Sequence, residues 1–174
     1  YELDVAVRAV ARIAAERPDL DVHLDVFGVG DAAGTLQALA AELVVADRVV
    51  FHGRVPIDEV PARVAGADIG LAPTRHDPFT DMSLSTKVFE YAAMGKPVVA
   101  SALPLVERTF PPGTVWTYPS GDADAMARAI LAIADDPLAR EAAVTRTAAI
   151  VAGSAWEHVS RGYIELVDRL TGDA

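Results

Sequence analysis

The stretch from Asp77 to Ser101, DPFTDMSLSTKVFEYAAMGKPVVAS, joins a short helix to a strand through a Gly-Lys-Pro stop. Ser83 or Ser85 can cap that helix, and Lys87 and Glu90, three residues apart, share one of its faces. Its first backbone N–H groups and the positive end of its dipole then face an anion. A unit of this kind can hold a phosphorylated, hydroxyl-rich ligand. Gly95 supplies the left-handed stop, and Pro97-Val98-Val99-Ala100 reads as a buried parallel strand. The same residues also make an ordinary helix–strand unit with two surface ions, and the stretch alone leaves both readings open.

Working outward, helical and strand signals alternate. Leu3, Val7, Val10, Ala11 and Ala14 share one face of an opening helix with no cap or strand ahead of it, so the chain is expected to begin inside a domain. Pro18 closes the helix. Asp21 to Phe27 alternates polar and apolar into the turn Gly28-Val29-Gly30-Asp31. A helix through Leu36, Leu39, Ala40 and Leu43 follows, then a strand over Val49 to His52 closed by Gly53-Arg54. Pro56 to Ala65 reads as a compact helix and Ala67 to Pro73 as a buried strand. Beyond Ser101, a last strand over Val115 to Tyr118 leads into helices over Ala123 to Ala134, from Asp135-Asp136-Pro137, and from a capping box at Ser154-Ala155-Trp156-Glu157 to Leu170. The pattern predicts an α/β fold, a doubly wound parallel sheet of Rossmann type covered by helices on both faces.

In such sheets ligands bind beyond the carboxyl ends of the strands, which selects the loops 28–31, 53–56, 73–86 and 101–107. Gly28 and Gly30 make a tight turn or a phosphate loop; the third glycine of a dinucleotide fingerprint is replaced by Ala33. Arg54 can reach a nucleobase or a phosphate, or be a solvated charge. Of the four histidines none pairs with another at metal-ligand spacing, so no metal site is expected, and only His76 falls in a ligand loop. Ser83 and Ser85 lack a nucleophile elbow, and no phosphate loop of the Gly-x4-Gly-Lys type occurs. Trp116 and Trp156 read as core or interdomain packing before sugar platforms.

Composition limits the partners. The chain has 174 residues, 52% of them hydrophobic, which suits one packed domain. Its 25 acidic against 15 basic side chains leave a formal charge of −10, which argues against nucleic acid and anionic membrane surfaces. Any phosphate ligand therefore needs a local positive pocket. The chain has no cysteine, which excludes disulfides and thiolate chemistry and suits the cytoplasm, the expected location. Neither a membrane span nor a signal peptide is expected.

Taken in order, LDVAVRAVARI, VFGVGD, VVFHGRVP, ADIGLAPTRHDPFTDMSLSTKVFEYAAMGKPVVAS and SAWEHVSRGYIELVDRL resemble the C-terminal, donor-binding domain of the retaining glycosyltransferases of the GT-B fold, family four, over nearly the whole chain. The resemblance implies a nucleotide-diphosphate sugar as substrate. Glu90, matching the second glutamate of the family's Glu-x7-Glu motif, would accept the ribose hydroxyls. Backbone amides of Ser85, Thr86 and Lys87, with the Lys87 ammonium, would take the diphosphate. Arg54 and Val55 would lie beside the nucleobase, with Gly28 and Gly30 beneath the donor. It also implies no metal or other cofactor, because basic side chains and a helix dipole stabilise the departing diphosphate.

The family pattern is broken in three places. Met82 stands where the first glutamate is expected, and neighbouring Asp81 can take over its contact with the donor sugar. The first strand of the domain, with its Arg and Lys, is missing from residues 1–174, and Tyr1 stands at the Lys position. The N-terminal acceptor domain is missing too, so the isolated domain is expected to be inactive. An exposed stripe of Val159, Tyr163, Leu166 and Leu170 on the closing helix would then face that domain, or a second copy in a dimer. Two rival readings stand beside this one: a non-catalytic nucleotide-binding or regulatory module of the same fold, and a nucleotide-sugar epimerase relative.

Overall fold

The structure, a computed structural model, describes residues 1–172. Five parallel strands form two sheets: β1 (Leu24–Phe27) beside β2 (Val49–Gly53), and β3 (Gly70–Ala72), β4 (Val98–Ser101) and β5 (Trp116–Tyr118) in that order. The helices are α1 (Leu3–Glu16), α2 (Ala33–Glu42), α3 (Val60–Gly66), α4 (Thr86–Ala93), α5 (Pro104–Thr109), α6 (Ala123–Asp135), α7 (Pro137–Gly153) and α8 (Trp156–Thr171). This is the alternating parallel α/β architecture expected of the sequence.

β4 shows how the sheet divides the core. Its four residues are all buried, and because strand side chains alternate, Val99 joins one cluster while Val98 and Ala100 join the other. Val99 packs with α1, α6 and Tyr118, among them Val10, Ile13, Met126 and Ile133. On the opposite face Val98 and Ala100 meet Val88 of α4, Val106 of α5 and Phe110. Apolar burial on both faces explains why this strand reads as an unbroken hydrophobic run.

α1 is buried around most of its circumference, through Val5, Ala6, Val7, Ala9, Val10 and Ile13, with the expected Leu3, Ala11 and Ala14 at its half-buried margin. The Glu2 amide donates to Pro73 O (3.2 Å), so α1 starts at the carboxyl end of β3, while its far end feeds β1. β1 and β2 thus run in the same direction as β3 to β5. Neither β1 nor β3 carries a strand on its second edge among the described residues. The one doubly covered sheet expected of the sequence is therefore two sheets, and one face of β1–β2, bearing Asp25, Phe27, Val50 and His52, is exposed.

Local chemistry corrects several boundaries. The helix expected over Pro56 to Ala65 is a 3-10 turn at Ile57–Glu59 followed by α3. Pro61 has no N–H to give Ile57 and its ring would strike that carbonyl, so it is accommodated only in the first turn of a new helix. α5, absent from the sequence reading, likewise starts at a proline, Pro104. The Asp122 and Asp136 side chains cap α6 and α7 by accepting from the amides of Ala125 and Ala139, both at 2.8 Å. The expected capping box of α8 is not formed at its serine. Ala155 takes the cap position, and Ser154 Oγ instead donates to Ile150 O (3.1 Å); the Glu157 half lies outside the described side chains. α8 leaves Trp156, Val159, Tyr163, Leu166 and Leu170 exposed, so Trp156 is not core, whereas Trp116 packs against the first cluster.

Candidate functional site

α4 begins at Thr86, where Ser85 occupies the cap position in an extended conformation. Neither serine fulfils the capping expectation: Ser85 makes no side-chain cap bond to the helix. The amides of Thr86 and Lys87 belong to the first turn, which has no intrahelical acceptors for them, so they remain available to an anion. At the other end Gly95 adopts φ +69°, and Lys96 N–H donates to Tyr91 O (3.0 Å), closing the helix as expected. The Tyr91 side chain packs closely over Gly70 of β3, which seats the helix on the sheet.

Lys87 is half-buried. Its Nζ donates to the Tyr1 hydroxyl (2.7 Å) and lies 4.4 Å from the centre of the same ring. Tyr1, which stands where the family resemblance expects a lysine, thus holds the α4 lysine at the start of α1. Glu90, one turn further along α4, is exposed. Together they offer a cation, free amides and a carboxylate along one short helix, an arrangement that can engage an anion at one end and hydroxyl donors at the other.

The loop before α4 is pinned by its own side chains. Asp77 Oδ1 accepts from the amides of Phe79 (2.8 Å) and Thr80 (2.9 Å), and Thr80 Oγ1 accepts from the Asp77 amide (2.8 Å) and donates to Arg75 O (2.8 Å). These donors, that of Thr80 first, hold the Asp77 carboxyl below the usual carboxylate range. The turn leads into a 3-10 segment, Thr80–Met82. There Asp81 Oδ1 lies 2.7 Å from His76 Nε2, a close contact whose alignment leaves Oδ1 without a directional hydrogen bond. Met82 is exposed. The structure therefore joins His76 and Asp81, the two loop residues that the sequence singled out separately.

The two glycine turns are also joined. Gly28 N–H donates to Gly53 O (2.7 Å), and both residues have positive φ, +129° and +70°. Gly30 needs no such freedom; a side chain there would meet open space. Arg54 is exposed and Val55 half-buried on the following loop. Phe27 stacks on His52, ring centres 4.4 Å apart, on the exposed face of β1–β2. No cluster of three metal-ligating side chains occurs among the described residues.

The sequence reading missed a buried carboxylate. Glu2, 2% exposed, accepts hydrogen bonds from Tyr118, Ser120 and the Gly121 amide at the carboxyl end of β5, and from Ser101 at the end of β4. Burial, together with the Glu2 carboxylate, pushes the Tyr118 phenol well above its ordinary range, against the opposing hydrogen bond from Ser101. A glutamate before an apolar helix reads as a solvated end residue, and its partners stand 99 to 119 positions away, so no local pattern exposes it.

Known proteins place this geometry in context. The family described as glycosyl transferases group 1 matches residues 1–136. The chain is similar to the GDP-mannose-dependent alpha-(1-6)-phosphatidylinositol monomannoside mannosyltransferase of Mycolicibacterium smegmatis, 34% identical over 157 residues, which cover 88% of this chain and 39% of that protein. The match spans less than two fifths of the length of the curated relatives, from 22% to 39%. Among solved structures, Anabaena HepE in complex with UDP and glucose superposes with a TM-score of 0.79 at 18% identity, over 98% of this chain and 45% of that one. The C-terminal domain of a glycosyl transferase group 1 family protein from Francisella tularensis superposes with a TM-score of 0.70 at 14% identity, over 85% of this chain and 76% of that one. At these identities the superpositions establish a shared fold. No described helix is long and apolar enough to cross a membrane.

Proposed function

The chain belongs to the group 1 glycosyl transferases, and on that premise we propose that it is the donor-binding domain of a retaining glycosyltransferase that uses a nucleotide-diphosphate sugar. The observation that carries this reading is the amino end of α4, where uncapped amides, the half-buried Lys87 and the exposed Glu90 lie within one and a half turns. The diphosphate would sit against the amides of Ser85, Thr86 and Lys87, with the Lys87 ammonium as its counter-ion, and Glu90 would accept two ribose hydroxyls at once. Arg54 and Val55 would flank the nucleobase, and the turn at Gly28 and Gly30 would run beneath the donor. Asp81, held by His76, would face the sugar in place of the glutamate that Met82 replaces.

Transfer builds negative charge on the departing diphosphate as the sugar gains oxocarbenium character. Preorganised amides and Lys87 stabilise that charge without reorganising. In this reading no metal is required, and Lys87 must share or release the Tyr1 hydroxyl when the phosphate arrives. The reading also places a further parallel strand in the gap between β1 and β3, leading into α1, and a second, acceptor-binding domain across the cleft. The free edges of those strands and the start of α1 beside Pro73 support it. The apolar stripe of α8 would pack on that domain, or without it on a second copy, and the domain alone would be inactive.

Calorimetric titration with UDP, GDP and ADP tests the proposal. At least one should bind, and Glu90→Ala should weaken it by about 10- to 100-fold, the loss of hydrogen bonds to a charged acceptor. A wild-type chain that binds no nucleoside diphosphate would remove the basis of the donor-site reading.

A further inference from the structure

We propose that Glu2 is a positioning residue for the ligand site: its buried carboxylate fixes the loop between β3 and α4 by orienting two serine hydroxyls that hold it. This rests on the donor-site reading above. Glu2 Oε1 accepts from the Tyr118 hydroxyl (2.8 Å) and Ser101 Oγ (3.2 Å), and Oε2 accepts from Ser120 Oγ (2.8 Å) and the Gly121 amide (3.0 Å). Both serines also face the loop. Ser101 Oγ accepts from the Thr74 amide (2.8 Å) and Ser120 Oγ from the His76 amide (2.9 Å).

The polarity of the network follows from the carboxylate. An ionised carboxylate only accepts, so each hydroxyl around it must send its single proton inward. Ser120 donates to Oε2; Ser101 donates to Oε1 or to the Tyr118 oxygen, 3.0 Å away. Their lone pairs are thereby turned outward, which is what the amides of Thr74 and His76 require. The Glu2 backbone takes part as well, through its amide on Pro73 O. One residue at the head of α1 thus holds Pro73, Thr74 and His76, and His76 in turn contacts Asp81. A glutamine would bring donors into the hub and reverse at least one hydroxyl. Holding the loop before a ligand arrives removes an ordering cost from binding.

The test combines native-state amide exchange with UDP and GDP titration of the 174-residue chain. Ser120→Ala should speed exchange at His76 by about tenfold or more, leave Val99 in the core unaltered, and weaken diphosphate binding several-fold. Ser120→Thr, which keeps the hydroxyl, should restore both. Glu2→Gln should loosen Thr74 and His76 together. Unchanged exchange at His76 in Ser120→Ala overturns the proposal, and so does a uniform rise across the core amides, which marks a merely structural role. A loosened loop with unaltered affinity for a bound diphosphate also refutes it. If the wild-type chain binds neither nucleotide, the donor-site reading fails on its own, while exchange at Thr74 and His76 still decides whether Glu2 organises the loop.

Discussion

Replacing Gly70 by alanine opposes two effects of known sign. Gly70 is buried at the start of β3, pairs with Val98 and has no positive φ, so backbone preference alone favours alanine by roughly 0.5–1 kcal/mol. The added methyl, however, would overlap Cγ and Cδ2 of Tyr91 and lie 2.8 Å from its Cβ. Side-chain rotation can carry the ring away but cannot move Tyr91 Cβ, so α4 must retreat from β3 by roughly 1 Å to restore ordinary carbon contact. α4 is also packed against β4 and α7, which resist that shift. Overpacking of this kind costs about 1–3 kcal/mol, and the rigid contact puts Gly70 at the upper end, for a net loss of roughly 2 kcal/mol. Urea unfolding of Gly70→Ala, Tyr91→Ala and the double variant measures it. The double variant should lose less than the sum of the singles, because removing the ring relieves most of the overlap. Lys87 and Glu90 ride on the same helix, so nucleoside diphosphate affinity should fall as well. A Gly70→Ala protein as stable as the wild type would refute the claim that Tyr91 seats α4 on β3.

Phe110, 2% exposed and tilted against Phe89 with ring centres 5.2 Å apart, closes the cluster beneath α4 and α5. Phe110→Ala should cost about 3–5 kcal/mol in urea unfolding, and a loss below about 1 kcal/mol would show that the cluster collapses onto the vacancy. The turn at Asp77 should be sensitive to acid. Its carboxyl is held below the ordinary value by the amides of Thr80 and Phe79, so its contribution is complete above about pH 4, the unfolded value, and is lost as pH falls through the lower folded value. Chemical shifts of the Phe79 and Thr80 amides should follow that titration and cease to do so in Asp77→Ala; shifts indifferent to acid in the wild type would contradict the assignment.

Much of the fold was legible because it is encoded over short spans. The periodic apolar residues of α1 and α2, the helix stop at Gly95 and the unbroken run of β4 each state their role within a turn or two. The joints were less legible. Pro61 splits the compact helix expected over Pro56 to Ala65, and the backbone at Ala155, rather than Ser154, heads α8. A serine ahead of a helix can cap it, but the cap forms only if the chain arrives at the right angle, and at Ser85 no side-chain cap forms.

The candidate site divides along the same line. Lys87 and Glu90 were identifiable from sequence because helical spacing alone puts them on one face. The contact of Lys87 with Tyr1, 86 residues away, was not. The sequence likewise marked His76 and Asp81 as loop residues of interest, but only the turn built by Asp77 and Thr80 brings them together. By itself, then, the sequence determined most of the order of helices and strands, the family, and the placing of Lys87 and Glu90 on one short helix, because these depend on neighbours along the chain. The burial of Glu2 among residues of β4 and β5 was decided only by tertiary structure. It depends on which distant hydroxyls meet once the core has closed, and a hydrogen bond spanning a hundred residues leaves no periodic trace in sequence.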